Sequence, residues 1–112
     1  MPGDDFCYLT TKGRLSGRRH RIEIWYARHG DTLFLLAGGA RSADWVQNLI
    51  ADPAVGVELD GVEHQATGRL IDDDGEAELA RSMVFDKYAP RYSDDLTEWR
   101  HRALPVAIDL TN

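Results

Sequence analysis

The chain has 112 residues, 43% of them hydrophobic and 29% charged. That is the size and composition of one globular domain spanning 1–112, long enough to bury about two-thirds of its unfolded surface. No apolar run approaches the length of about 20 residues that a bilayer span needs. The start, MPGDDFCYLTT, has acids where a secretion signal needs bases, and Cys7 is the only cysteine, so there is no internal disulfide. These features predict the cytoplasm, with Cys7 as a small core residue. Net charge is −6, yet Lys12 to Arg28 carries six bases against Glu23 alone. A basic segment on an acidic chain points to a local anion site and argues against a nucleic-acid surface, including one built on GRRHR.

The elements follow in chain order. Residues 6–11 (FCYLTT) are aromatic and β-branched, a short strand. Two glycines and a serine between Lys12 and Gly17 mark a loop. Residues 21–28 (RIEIWYAR) read as one strand, with Ile22, Ile24 and Tyr26 on one side and Glu23 and Trp25 on the other. His29-Gly30-Asp31 is a hairpin turn, and 32–37 (TLFLLA) is apolar throughout, a strand buried on both faces. Ser42 is the expected N-cap of a helix carrying Trp45, Val46, Leu49 and Ile50, closed by Pro53. Strands 55–59 and 62–71 flank an Asp60-Gly61 turn. A second helix starts at Asp73-Asp74 with Glu76 placed for a capping box, striped by Ala77, Ala80, Met83, Val84 and Tyr88. Leu96 and Trp99 mark a short helix, and 104–110 (LPVAIDL) is a last strand. About six mostly antiparallel strands with two or three helices predict a mainly β (α+β) fold, closed economically as a small barrel.

The stretch TTKGRLSGRRHRIEIW puts bases and hydroxyls on a glycine-containing turn between two strands. Gly13 and Gly17 let backbone N–H groups converge, and Arg14, Ser16 and Arg18 can add donors to phosphate oxygens. It lacks the spacing of a nucleotide P-loop. His20, His29, His64 and His101 have no metal-ligand spacing.

Several motifs in order, TTKGRLSG, HRIEIWY, LLAGG, DWVQNLIADPAVGVEL and ALPVAIDL, span Leu9 to Leu110. Together they resemble the deazaflavin (coenzyme F420)-dependent nitroreductase and quinone reductase family, a split β-barrel related to the pyridoxamine-phosphate-oxidase and FMN-binding folds. The resemblance implies an oxidoreductase that passes a hydride from reduced F420 to a small electron-poor acceptor: a quinone, nitro compound or activated alkene. It implies that Arg14, Leu15, Ser16, Gly17, Arg18, Arg19 and His20 form the loop holding the cofactor's acidic tail, with Leu9 and Thr10 leading in. Trp25, Ala37, Gly38 and Gly39 fall where the family's backbone approaches the ring, and Asp44, Trp45 and Asn48 match the helix start beside it. Tyr88 and Tyr92 fall near substrate-side tyrosines, Tyr92 being the better proton-donor candidate. Three positions depart from the family's habit: Leu15 replaces a common lysine, His20 a common arginine, and Ala37 a common hydroxyl residue. FMN is the alternative cofactor, a non-catalytic binder of a cofactor or lipid-like ligand the alternative role, and a homodimer the expected assembly.

Overall fold

The computed structural model describes residues 6–91 and 95–111. Seven strands form one antiparallel sheet: β1 (Cys7–Lys12), β2 (Arg19–Ile24), β3 (Ala27–His29), β4 (Thr32–Ala37), β5 (Ala54–Leu59), β6 (Val62–Leu70) and β7 (Leu104–Leu110), in the spatial order β2-β1-β5-β6-β7-β4-β3. The expected single strand over 21–28 is two. β2 pairs with β1 at one edge of the sheet, and β3 pairs with β4 at the other. Only Trp25 and Tyr26 join them. The three residue steps from Ile24 to Ala27 span at most about 11 Å, so the two edges come together and the sheet curls into a half-barrel. The Tyr88 hydroxyl takes the place of the missing ladder at this break: it accepts from the Tyr26 N–H at 3.0 Å and donates to the Tyr26 carbonyl at 3.2 Å. The expected sidedness holds, since Ile22, Ile24 and Tyr26 pack into one core and Trp25 into the other.

Hairpin turns do the folding back. Between Leu59 and Val62, which pair, Asp60 and Gly61 both take positive φ (+50° and +82°), the two left-handed residues of a primed turn that suits the sheet's twist.

The sheet is apolar on both faces where β4 crosses it. Leu33 and Leu35 point into the barrel with Leu9, Val57, Val106 and Ile108, while Phe34 and Leu36 point out beneath a helix. Cys7 lies in the inner core, and burial pushes its thiol up to about 12, the behaviour of a packing residue. Helix α1 (Asp44–Ala51) plugs the barrel with Val46 and Leu49. Gly68 is what admits it, since a Cβ there would stand 2.3 Å from Leu49 Cδ1. Ser42 is not the N-cap of α1, as expected; that position is Ala43, with no side-chain cap. Ser42 instead ends a single 3-10 turn (Ala40–Ser42), its hydroxyl donating to the Gly39 carbonyl at 2.7 Å.

Helix α2 (Asp74–Tyr88) covers the outer face with Ala80, Val84 and Tyr88. Asp73 caps it, accepting from the Glu76 N–H at 2.7 Å. The Glu76 carboxylate does not close the capping box; it takes both ends of the Arg69 guanidinium (2.7 and 2.8 Å), which also holds Asp109 at 2.7 Å. Arg69 keeps the Glu76 and Asp109 carboxyls below their ordinary range. The short helix α3 (Thr97–Arg102) is strapped to α2. Arg81 donates to the Arg100 and Ala103 carbonyls, and Arg100 reaches Glu78 and Ser82.

Candidate functional site

The loop between β1 and β2 runs from Gly13 to Arg18 and ties itself closed. The Gly13 N–H donates to the Arg18 carbonyl at 2.7 Å, and the Gly17 N–H to the Gly13 carbonyl at 2.8 Å. The Ser16 hydroxyl oxygen accepts from the Arg18 N–H at 3.1 Å. Gly17 sits at φ +73°, where a side chain would be strained. Gly13 is a cradle of a different kind: a Cβ there would meet His20 Nε2 at 2.6 Å and Ser16 Oγ at 2.8 Å. Among the described residues the Leu15 and Ser16 N–H groups have no partner, so they remain available at the loop tip.

Asn48 brackets this loop to α1. Its Oδ1 accepts from the Arg14 N–H at 3.1 Å and from the Arg14 guanidinium at 2.8 Å. Its Nδ2 donates to Thr11 Oγ1 at 3.4 Å. Both side chains are sealed in, Asn48 at 4% exposure and Thr11 at 1%, so losing either partner leaves a buried polar group stranded. The Arg14 guanidinium also reaches the Asp44 carbonyl and carboxylate, each at 3.4 Å. Arg14 is therefore already oriented, with a half-open guanidinium. Arg18 and Arg19 are exposed and form no ion pair among the described residues.

A cleft of ≈ 640 Å³ separates the loop from the helix. Gly13, Arg14, Leu15, Ser16, Arg19 and His20 form one wall; Asp44, Trp45 and Asn48 form the other, with Arg21 and Ile22 between. Eight of the residues singled out from the sequence thus meet around one space. Trp45 serves twice, lining the cleft and packing against the inner core. Arg19 borders a second hollow of ≈ 610 Å³ on the far side of the hairpin, where Thr10 and Gly17 lie. Leu9 leads into the loop through its backbone alone, because its side chain is wholly buried in the barrel. Arg18 lines neither space.

A second group of expected residues gathers at the top of β4. Ala37 is buried, whereas Gly38 and Gly39 are exposed. Neither glycine takes positive φ; what they allow is close approach. A Cβ on Gly39 would stand 3.2 Å from Ala43, just before α1, and one on Gly38 would stand 3.4 Å from Trp99 Nε1. Trp99 packs edge-on against Trp25 (centroids 5.5 Å), which stacks on Tyr88 at 4.4 Å and 6°. Gly39 packs on Ala43, the residue before Asp44, which lines the cleft.

Tyr88 is corrected here. It is 1% exposed, its phenol serves the Tyr26 backbone, and burial pushes that phenol well above its ordinary range. It packs the fold and lines neither of the two clefts described above, so it is not placed to give a proton to a substrate in either. Tyr92, the other expected phenol, lies outside the described residues. Two participants escaped sequence reading: Thr11, whose strand position gives no sign of its bond to Asn48, and Trp99, read only as a helix marker. Among the described residues no group of His, Cys, Asp and Glu could hold a metal, and no helix is long and apolar enough to cross a membrane.

The fold is shared by known structures. An F420-H2-dependent reductase superposes with a TM-score of 0.74 at 20% identity, over 95% of this chain and 93% of that one. A structure described as a domain-swapped dimer gives 0.73 at 21% identity, over 95% and 79%. A Listeria innocua protein assigned as a pyridoxamine 5′-phosphate oxidase gives 0.66 at 13% identity, over 96% and 82%. At these identities the likeness establishes the split β-barrel. The family model for the F420H(2)-dependent quinone reductases matches residues 1–111. With the barrel, the arginine hairpin and the facing helix all in place across that span, the chain belongs to the F420H(2)-dependent quinone reductase family.

Proposed function

We propose that this chain holds the anionic tail of coenzyme F420 in the cleft between the Gly13–Arg18 loop and α1, and reduces a small electron-poor acceptor such as a quinone, nitro compound or activated alkene. The observation that carries this reading is the loop itself. Two N–H groups without a partner among the described residues (Leu15 and Ser16), a pre-oriented Arg14 and Arg19 line one cleft, and Arg18 stands exposed on the same loop. Such a donor set fits phosphate and carboxylate oxygens and offers nothing to a neutral ligand of that size. When bound, the deazaflavin supplies the hydride; the protein supplies grip, orientation and shelter from water.

Each part of the chain has its task. Asn48 holds Arg14 so that little side-chain entropy is lost on binding. Trp45 gives the cleft an apolar side. Gly38 and Gly39 present bare backbone to a flat ring lying past the start of α1. Titrating the purified protein with F420 and, separately, with FMN, and following fluorescence, tests the choice of cofactor. Arg14→Ala is expected to weaken F420 by about tenfold or more, the value of a charge-assisted hydrogen bond. Unchanged F420 affinity in that variant would end the tail-anchoring claim. The buried free thiol of Cys7 suits a reducing compartment, in keeping with the cytoplasm. The exposed edge β2 and the domain-swapped relative favour a homodimer, which light scattering on a sized sample decides.

A further inference from the structure

Reduction of a carbonyl or nitro acceptor puts negative charge on an oxygen before a proton arrives, and a nearby hydrogen-bond donor lowers the barrier to that step. Among the described residues the donors around the ring side of the site are few. The Tyr88 phenol is buried and occupied by Tyr26. The Lys87 ammonium donates to the Tyr26 carbonyl at 2.8 Å and stands 3.7 Å from the Tyr26 ring centroid. The Trp99 indole is different. It is half-exposed, its Nε1 faces the bare backbone of Gly38, and that N–H has no hydrogen-bond partner among the described residues. It is also held in place. Trp25 braces the ring edge-on, and α3 is strapped to α2 through Arg81 and Arg100. A fixed N–H with no partner among the described residues is the kind of donor that stabilises charge developing on an oxygen.

We propose that the Trp99 Nε1–H is a catalytic hydrogen-bond donor to the acceptor oxygen on which charge develops. The proposal rests on the reading of the site given above. With a quinone, a hydride from the reduced deazaflavin, which is thereby oxidised by two electrons, gives a hydroquinone monoanion. A proton from water completes the neutral hydroquinone. The indole donates to the anionic oxygen between these two transfers and loses no proton itself.

The test uses the intact protein saturated with oxidised F420. There are three tryptophans, so an 15N–1H spectrum holds three indole signals, and Trp99→Phe identifies the one that matters. Menadione, a quinone, is then titrated in. The Trp99 signal is expected to move downfield as the bond forms. In steady-state assays Trp99→Phe is expected to lower kcat about tenfold with F420 affinity, the menadione KM and the melting temperature little changed. An unmoved Trp99 signal with F420 bound, from a protein that reduces menadione in the steady-state assay, overturns the proposal and leaves the tail-binding site standing. Undiminished kcat in Trp99→Phe does the same. Failure of the wild-type protein to bind F420 overturns both.

Discussion

The two ends of this barrel are built on opposite principles. At the arginine hairpin, a six-residue loop is held to α1 by the buried Asn48 amide, bonded to Arg14 on one side and Thr11 on the other, and by the Arg14 contacts to Asp44. At the break between β2 and β3, Trp25, Tyr88 and Trp99 interlock beside α2 and α3, and Tyr88 and Lys87 hydrogen-bond the Tyr26 backbone. The first arrangement leaves charge and N–H groups exposed and orients them with few bonds. The second buries area and defines shape. The difference teaches that the grip on a charged tail and the seat for a flat ring make conflicting demands. On the reading proposed above, the first takes the charged tail and the second helps to seat the ring.

The comparison is broken most severely at the aromatic end. Tyr88→Ala removes a fully buried ring and uncaps the Tyr26 backbone, so a loss of about 3–5 kcal/mol is expected in urea unfolding. Were the loss under about 1 kcal/mol, the aromatic knot would not be what shapes that end. At the other end, Asn48→Ala strands Thr11 and releases Arg14. A loss of about 1–3 kcal/mol is expected, together with weaker F420 binding, whereas Tyr88 variants that still fold keep their tail affinity. Equal effects of both substitutions on tail affinity would erase the division of labour.

Acid should loosen the strap between α2 and the sheet. Glu76 and Asp109 titrate lower in the folded protein than in the unfolded chain, so their contribution is complete above the ordinary carboxylate value of about 4 and is lost as pH falls through their depressed folded values. Urea midpoints should therefore drop below about pH 4, and Asp109→Asn should flatten that drop while lowering stability at pH 7. The smallest change is Leu15→Lys. With Leu15 91% exposed, stability should shift by no more than about 0.5 kcal/mol, yet the added cation at the loop tip should tighten F420 several-fold. A stability change with no gain in affinity would place Leu15 in the packing of the loop rather than at its binding face.

Local chemistry was readable. The glycine-and-arginine loop, the Asp60-Gly61 turn, the double-sided apolar β4 and the Asp73 cap all follow from short-range steric and hydrogen-bonding rules, and all occur where the residues place them. The cleft walls could be named because ordered motifs matched a family over nearly the whole chain. Misreadings arose where a second partner claimed a group or a strand. Glu76 left its capping box for Arg69, Ser42 yielded the cap of α1 to Ala43, and the strand over 21–28 broke because its two halves belong to opposite sheet edges.

By itself, then, the order of residues determined most of the elements, their turns and the presence of an arginine-rich hairpin loop, because each depends on atoms a few positions apart. Only the tertiary structure decided that Tyr88 is sealed inside, that Asn48 and Thr11 hold Arg14, and that Trp99 stands over Gly38. Those facts depend on closing the sheet and docking three helices on it, and no periodicity records which side chain meets which across 30 to 60 residues of chain.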